Sequence, residues 1–225
     1  MFSMIKDQIR YASLAGLKMA GYVVYPSRLE WISREPKAWS DVSLILILNH
    51  TSLFEFVYGV SLPFSFLKEL SKRLIIPVAD STMNSPLGNF VFSNLAPKTI
   101  QLTRRRDQSW QHFLDSIDSN DICIFMPEGR MKRLDGLDKS GKPMTVKTGV
   151  VDLLEKYRGK KMVMVYSSGL HHILAPGQRI PKIFQPIFAK MELLKVDSYL
   201  EMFSGDDLYE AIPKDLEERR NKYCS

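Results

Sequence analysis

The run Ser43-Leu-Ile-Leu-Ile-Leu48 constrains this chain more than any other feature. Leu44 to Leu48 are five consecutive aliphatic residues, so no arrangement of them offers water a polar face. A stretch this short and this apolar fits a strand covered on both sides, as in the interior of a parallel sheet. It stops abruptly at Asn49-His50-Thr51-Ser52. Those four polar residues therefore stand where a buried strand hands over to the next element. In open α/β sheets, ligands gather outside the carboxyl ends of the strands.

The rest of the chain repeats the alternation. Further strands are expected at residues 74–78, 99–102, 122–125, 162–165 and around 187–191. Helices are expected from Met1 to about Tyr25, closed by Pro26, and from Ser52 to Leu62, opened by the capping box Ser52-Leu-Phe-Glu55. Others follow at Ser65 to Lys72, after the cap Asp107 with an apolar face of Trp110, Phe113, Leu114 and Ile117, at Val146 to Tyr157, and from about Lys214. Strands alternating with helices over 225 residues imply one α/β domain, with a mixed, largely parallel sheet flanked by helices. The expected division is an N-terminal helical segment over 1–30 and a main domain over 31–225.

The N-terminal segment has two readings. Met4, Ile5, Ile9, Ala12, Leu14, Leu17 and Val24 recur at helical spacing among Lys6, Arg10 and Lys18. Such a helix can pack on its own domain or lie as an amphipathic helix on an anionic bilayer. No apolar run approaches the roughly 20 residues that a membrane-spanning helix needs, and no secretory signal stands out, because polar residues interrupt everything after Lys6 and Arg10.

The formal net charge is +6. Nucleic-acid binding is a poor account of it: the run Arg104-Arg105-Arg106 has no aromatics interleaved. Cys123 sits in an apolar strand and Cys224 is the penultimate residue. A disulfide between them is not expected, which suits a reducing compartment. No metal site is expected, since His171 and His172 are adjacent loop residues with no ligand at zinc spacing. His112 reads as a helix-surface residue, and no glycine-rich phosphate loop is present.

Three segments could carry chemistry. In Asn49-His-Thr-Ser-Leu-Phe-Glu55, the acid five residues after His50 can accept one ring N–H. That fixes the tautomer and leaves the other nitrogen for a substrate proton. Alternatively, Glu55 only completes the capping box and His50 is a polar loop residue. In Phe125-Met-Pro-Glu128-Gly129-Arg130, a turn after a strand delivers Glu128 and Arg130 at its apex, as a substrate contact or as a surface ion pair. The arginine run at 104–106 is a solvated face or a phosphate clamp.

Together and in this order, the blocks resemble the glycerophospholipid acyltransferase family, whose best-known members convert 1-acylglycerol 3-phosphate to phosphatidic acid. That family carries Asn-His, four residues and an acid, here Asn49, His50 and Glu55. A strand ending in Arg is matched by Ile100-Gln-Leu-Thr-Arg104, with a similar lead-in from Pro77 through Ser85-Pro-Leu-Gly88 to Pro97. Phe-Pro-Glu-Gly is matched loosely by Phe125 to Gly129, and Lys147-Thr-Gly149 follows in the expected place. Glu55 replaces the usual Asp. Arg130 follows Glu-Gly at once, with Met131 in the usual Arg place, a form more like the branch that reacylates lysophosphatidylethanolamine. Tyr166 stands after Val163-Met-Val165 where a Pro is usual.

The resemblance implies transfer of an acyl group from an acyl thioester, coenzyme A or acyl carrier protein, to a lysophospholipid hydroxyl. No cofactor or metal is implied. His50 and Glu55 are the expected catalytic pair, with Arg104, Glu128, Gly129 and Arg130 binding the acceptor. Lys132, Arg133, Lys139 and Lys142 form a basic loop suited to an anionic donor. The expected location is peripheral, on the cytoplasmic face of an anionic membrane. Acyl transfer to an amino-acid lipid or glycolipid, or a catalytically silent lipid-binding member of the fold, are the other readings.

Overall fold

A computed structural model describes residues 2–83, 92, 94–103, 106–178 and 180–224. Seven strands form one sheet: β1 (Ser27–Trp31), β2 (Val42–Leu48), β3 (Leu74–Ala79), β4 (Lys98–Leu102), β5 (Ile122–Phe125), β6 (Lys161–Ser167) and β7 (Ile187–Lys195). Their order is β1-β7-β6-β2-β5-β3-β4. Every neighbouring pair is parallel except β6 and β7. The expected fold class, an α/β domain on a mixed, largely parallel sheet, is the one observed. β1 was not among the expected strands. It is a half-exposed edge strand, and among the described residues its only strand neighbour is β7, more than 150 residues on by the register Ser27↔Ile187.

β2 lies between β5 and β6, and all seven of its residues are buried. Its side chains divide between two cores. Leu44, Leu46 and Leu48 pack with Phe113, Val150, Leu153, Tyr166 and Leu216 on one face. Ile45 and Ile47 pack with Val57, Phe66 and Leu70 on the other. The register slips between Val42 and Leu44, so Val42 falls on the same face as Ile45. Helices cover both faces, which is what an aliphatic strand with no polar side requires.

Helix α1 (Phe2–Val24) lies on the second face, with Tyr11, Leu14 and Val24 against that core. Gly21 lets it approach closely: a Cβ there would meet Val60 Cγ1 at 2.6 Å. The side turned away from the domain is rich in apolar residues, with Lys6 and Gln8 among them. Met4, Ile5, Ile9, Leu17, Met19, Tyr22 and Val23 are exposed, the last two at 69% and 70%. Of its charged residues, Lys6 is exposed, Arg10 pairs with Asp7 along the helix, and Lys18 turns inward, where its Nζ donates to the Val60 carbonyl and lies over the Phe64 ring.

Several local expectations shift. The helix expected at 52–62 is a 3-10 helix over Glu55–Ser61, and α2 is Phe64–Arg73. Helix α4, Gln108–Asp115, is capped as expected, by the Asp107 side chain accepting from the Ser109 amide; the short α3, Asp80–Met83, precedes it. Helix α5 starts at Gly149 rather than Val146 and runs to Lys156. His171–Leu174 forms one helical turn, α6, and Val196–Glu201 forms α7. The last helix, α8 (Leu208–Tyr223), begins before the expected Lys214. Asp207 caps it, and Pro213 sits inside it.

Candidate active site

Three loops leave the carboxyl ends of adjacent parallel strands β5, β2 and β6, and they are stitched together there. The β2 loop opens with Asn49 at φ 65°, one of two non-glycine residues with positive φ among those described. Its side chain explains why a non-glycine is held there: Nδ2 donates to the Ser167 carbonyl at the end of β6, at 2.8 Å. Asparagine tolerates this backbone region better than most residues. Thr51 Oγ1 accepts from the Leu170 amide at 2.8 Å, and Tyr58 and Ser167 share a hydroxyl contact at 2.6 Å.

His50 and Glu55 come together as expected. Glu55 Oε2 contacts His50 Nδ1, and the carboxylate is 1% exposed. Its other oxygen accepts the Thr51 amide at 2.7 Å and the Ser52 amide at 3.3 Å. Glu55 thus makes contacts of both kinds at once. One oxygen serves the backbone of the turn, and the other holds the imidazole. Ser52 Oγ accepts from Phe54 N at 3.1 Å, two residues on, which produces a tight turn rather than a full capping box. With a carboxylate on Nδ1, proton acceptance falls to Nε2.

Glu128 follows β5 and is also 1% exposed. Its Oε1 accepts the Asn49 amide at 2.9 Å and its Oε2 accepts the His50 amide at 3.0 Å. A third donor comes from the far end of the chain: Arg220 Nη1, on α8, lies 3.3 Å from Glu128 Oε1. The sequence places Glu128 at a strand-end turn but not its partners. Gly129 has φ 65°, and its amide closes a turn onto the Met126 carbonyl at 3.0 Å. A Cβ there would meet only Lys147 Cγ at 3.9 Å, so conformation rather than space calls for glycine.

Arg130 is paired within its own loop. Its guanidinium donates to Asp138 and to Ser140 Oγ at 3.3 Å. The Lys142 amide above all, with Arg130 and the Ser140 amide, lowers the Asp138 carboxyl to about 2. The loop is held over the β2 end by Lys132 N donating to the His50 carbonyl at 2.7 Å, and His171 Nε2 lies 2.7 Å from the Lys132 carbonyl. Arg104 lies outside the described residues. Of its run, Arg106 donates from Nη2 to both carboxylate oxygens of Asp152, at 2.8 and 2.7 Å, and lies over the Tyr209 ring.

Tyr166, where the resemblance leads one to expect Pro, is wholly buried and has a use for its hydroxyl. It donates to Glu192 at 2.6 Å, Arg219 reaches Glu192 at 2.8 Å and Asp215 at 2.7 Å, and Tyr199 donates to Asp215 at 2.6 Å. This network fastens α8 to the sheet, and Tyr223 on that helix packs against the Tyr166 ring at 4.9 Å. Among the described residues, no group of three metal-ligating side chains occurs.

No protein-family model matches the chain, and no curated protein matches it. In three dimensions it is similar to the crystal structure of the 1-acyl-sn-glycerophosphate (LPA) acyltransferase PlsC from Thermotoga maritima. The TM-score is 0.61 and the identity 19%, over 98% of this chain and 85% of that one. At that identity the likeness is one of fold, and the chain has the fold of a solved 1-acyl-sn-glycerophosphate acyltransferase.

Proposed function

We propose that the protein is an O-acyltransferase that moves a fatty acyl group from an acyl thioester to the hydroxyl of a lysophospholipid, 1-acylglycerol 3-phosphate or a related lysolipid. The observation that carries the reading is the contact between His50 Nδ1 and the buried Glu55 carboxylate, set at the end of a doubly buried strand. An alcohol is a poor nucleophile until its proton is removed. His50 takes that proton as the oxygen attacks the thioester carbonyl, a contribution of about 10²–10⁴-fold in rate. Glu55 fixes the tautomer beforehand and stabilises the imidazolium afterwards. The tetrahedral intermediate collapses by breaking the C–S bond, and the departing thiolate takes the proton back from the ring. The products are the ester and the thiol carrier. No cofactor enters this scheme.

The remaining roles follow from charge and from the resemblance. Arg104 pairs with the acceptor phosphate. Glu128 and Gly129 shape the turn that holds the His50 backbone, a role supported by the two amides Glu128 accepts. Lys132, Arg133, Lys139 and Lys142 meet the anionic donor, coenzyme A or acyl carrier protein. The protein works at the cytoplasmic face of an anionic membrane, as a peripheral protein. The exposed apolar side of α1 supports this, and so does its continuation. Phe184 N donates to the Val24 carbonyl at 3.2 Å, beside exposed Ile180 and Ile183. Between Glu155 and Glu192 the sequence carries no carboxylate side chain. Among the described residues, no helix is long and apolar enough to cross a membrane.

One observation favours a second acceptor class, an amino-acid lipid or glycolipid hydroxyl. The Arg130 guanidinium is held by Asp138, so a phosphate contact there requires that pair to open. The experiment is incubation of the purified protein with labelled lysolipids of both classes and both donor types, read by mass spectrometry with His50→Ala alongside. Acylation of a lysophospholipid by the wild type alone supports the reading. Acylation of none of the acceptors sinks it.

A further inference from the structure

We infer that Arg220, on the C-terminal helix, is a positioning residue for the His50 base, acting through Glu128. The inference rests on the reading of His50 as that base. Arg220 Nη1 donates to Glu128 Oε1 at 3.3 Å and to the Met144 carbonyl at 3.1 Å, and its side chain is mostly buried. Glu128 in turn accepts the consecutive amides of Asn49 and His50, one on each oxygen. The chain of contacts thus runs from α8, through a buried carboxylate, to the backbone that carries the imidazole. The neighbouring Glu217 reinforces the same junction, accepting the Val146 amide at 2.8 Å from the segment that leads into α5.

Two physical features make Arg220 more than packing. A carboxylate 1% exposed is costly to bury as an anion unless a cation and hydrogen-bond donors surround it. Take the guanidinium away, and the Glu128 carboxylate must find water or turn. Each of these slackens its grip on the two amides. Asn49 at φ 65° is the second feature, because a backbone held in the left-handed region relaxes when its restraints loosen. His50 is the next residue. A displacement of about 1 Å at a catalytic group can lower the rate by roughly 100-fold. What this route moves is the backbone that carries the base, so the loss belongs in kcat.

The neighbouring Arg219 provides the control. It is on the same helix, and its hydrogen bonds run to Glu192 and Asp215, not to Glu128. Arg220→Met is expected to lower kcat at least about 10-fold while KM for both substrates stays within about twofold. Arg220→Lys, which keeps the charge but not the fork, should recover part of that loss. Arg219→Met should lower thermal stability and leave kcat near wild type. A second readout needs no turnover: amide hydrogen exchange at residues 49 and 50 should quicken in Arg220→Met and not in Arg219→Met. Should Arg220→Met fail to fold, Arg220→Lys and Arg220→Gln replace it, with kcat expected to fall in the order wild type, Lys, Gln. Unchanged kcat across the Arg220 variants, or unchanged exchange at 49 and 50, overturns the inference. A wild type that acylates nothing sinks the functional reading instead, and the exchange comparison still decides whether Arg220 governs the His50 backbone.

Discussion

Glu55 holds His50 through one carboxylate oxygen while its other oxygen accepts the Thr51 amide at 2.7 Å. Glutamine at position 55 can keep the amide contact, but it presents an N–H to Nδ1. The ring then carries its proton on Nε2, the nitrogen that has to accept one. Glu55→Gln should therefore fold like the wild type and lose about 10²–10⁴-fold in kcat. His50→Ala should abolish acyl transfer with a nearly unchanged melting temperature. Glu55→Asp, one methylene shorter, should retain part of the activity. Steady-state kinetics beside thermal melts check all three, and a Glu55→Gln enzyme of full activity would refute the pairing.

Gly149 and Gly129 should fail differently. A Cβ at Gly149 would lie 2.8 Å from Trp110 Cζ2, and Trp110 is anchored by its Nε1 donating to Asp152 at 2.8 Å. Gly149→Ala gains roughly 1 kcal/mol of helix propensity but overpacks by about 1–3 kcal/mol, so the net effect should be destabilising. Gly129→Ala meets no clash and pays only for its left-handed backbone, about 1–2 kcal/mol. Denaturant melts separate the two. Relief of the Gly149→Ala loss by a smaller residue at 110 would confirm the steric origin.

Tyr22 and Val23 face outward at the end of α1. Tyr22→Glu combined with Val23→Glu should leave the fold intact and weaken cosedimentation with anionic vesicles, most at low salt, where the added carboxylates also repel the surface. Point changes are preferable to deleting the helix, because Tyr11, Leu14 and Gly21 pack on the domain. Vesicle binding that survives the double change would remove this face from the proposed membrane contact.

Burial pushes the Cys224 thiol up to about 12 and raises Cys123 as well. A raised thiol pKa means little thiolate at pH 8, so neither cysteine should react readily with iodoacetamide in the native protein. Both should react in denaturant, and native labelling should accelerate only as the pH climbs toward 12. Rapid native labelling of Cys224 at pH 8 would show that the end of α8 is not docked as described.

What the amino-acid order settled by itself is local. Five aliphatics in a row fit a strand covered on both faces, and alternation of such strands with helical patterns leads to a mixed, largely parallel sheet. The His50–Glu55 spacing is five residues, close enough for one tight turn to close the contact, so that pair was readable before any fold was known. The partners of Glu128 were not. Asn49 and His50 lie 79 and 78 residues before it, and Arg220 lies 92 after it. No short-range periodicity encodes such distances. The edge strand β1 escaped for the same reason, since its pairing with β7 is what makes it a strand. The C-terminal helix read as beginning after Pro213, whereas Asp207 starts it and docking through Arg219, Arg220 and Tyr223 gives it a place beside the site. Local sequence dictates which groups a turn can bring together; only the packed sheet decides which distant carboxylates and cations complete them, because burial makes an unpaired charge too costly to leave.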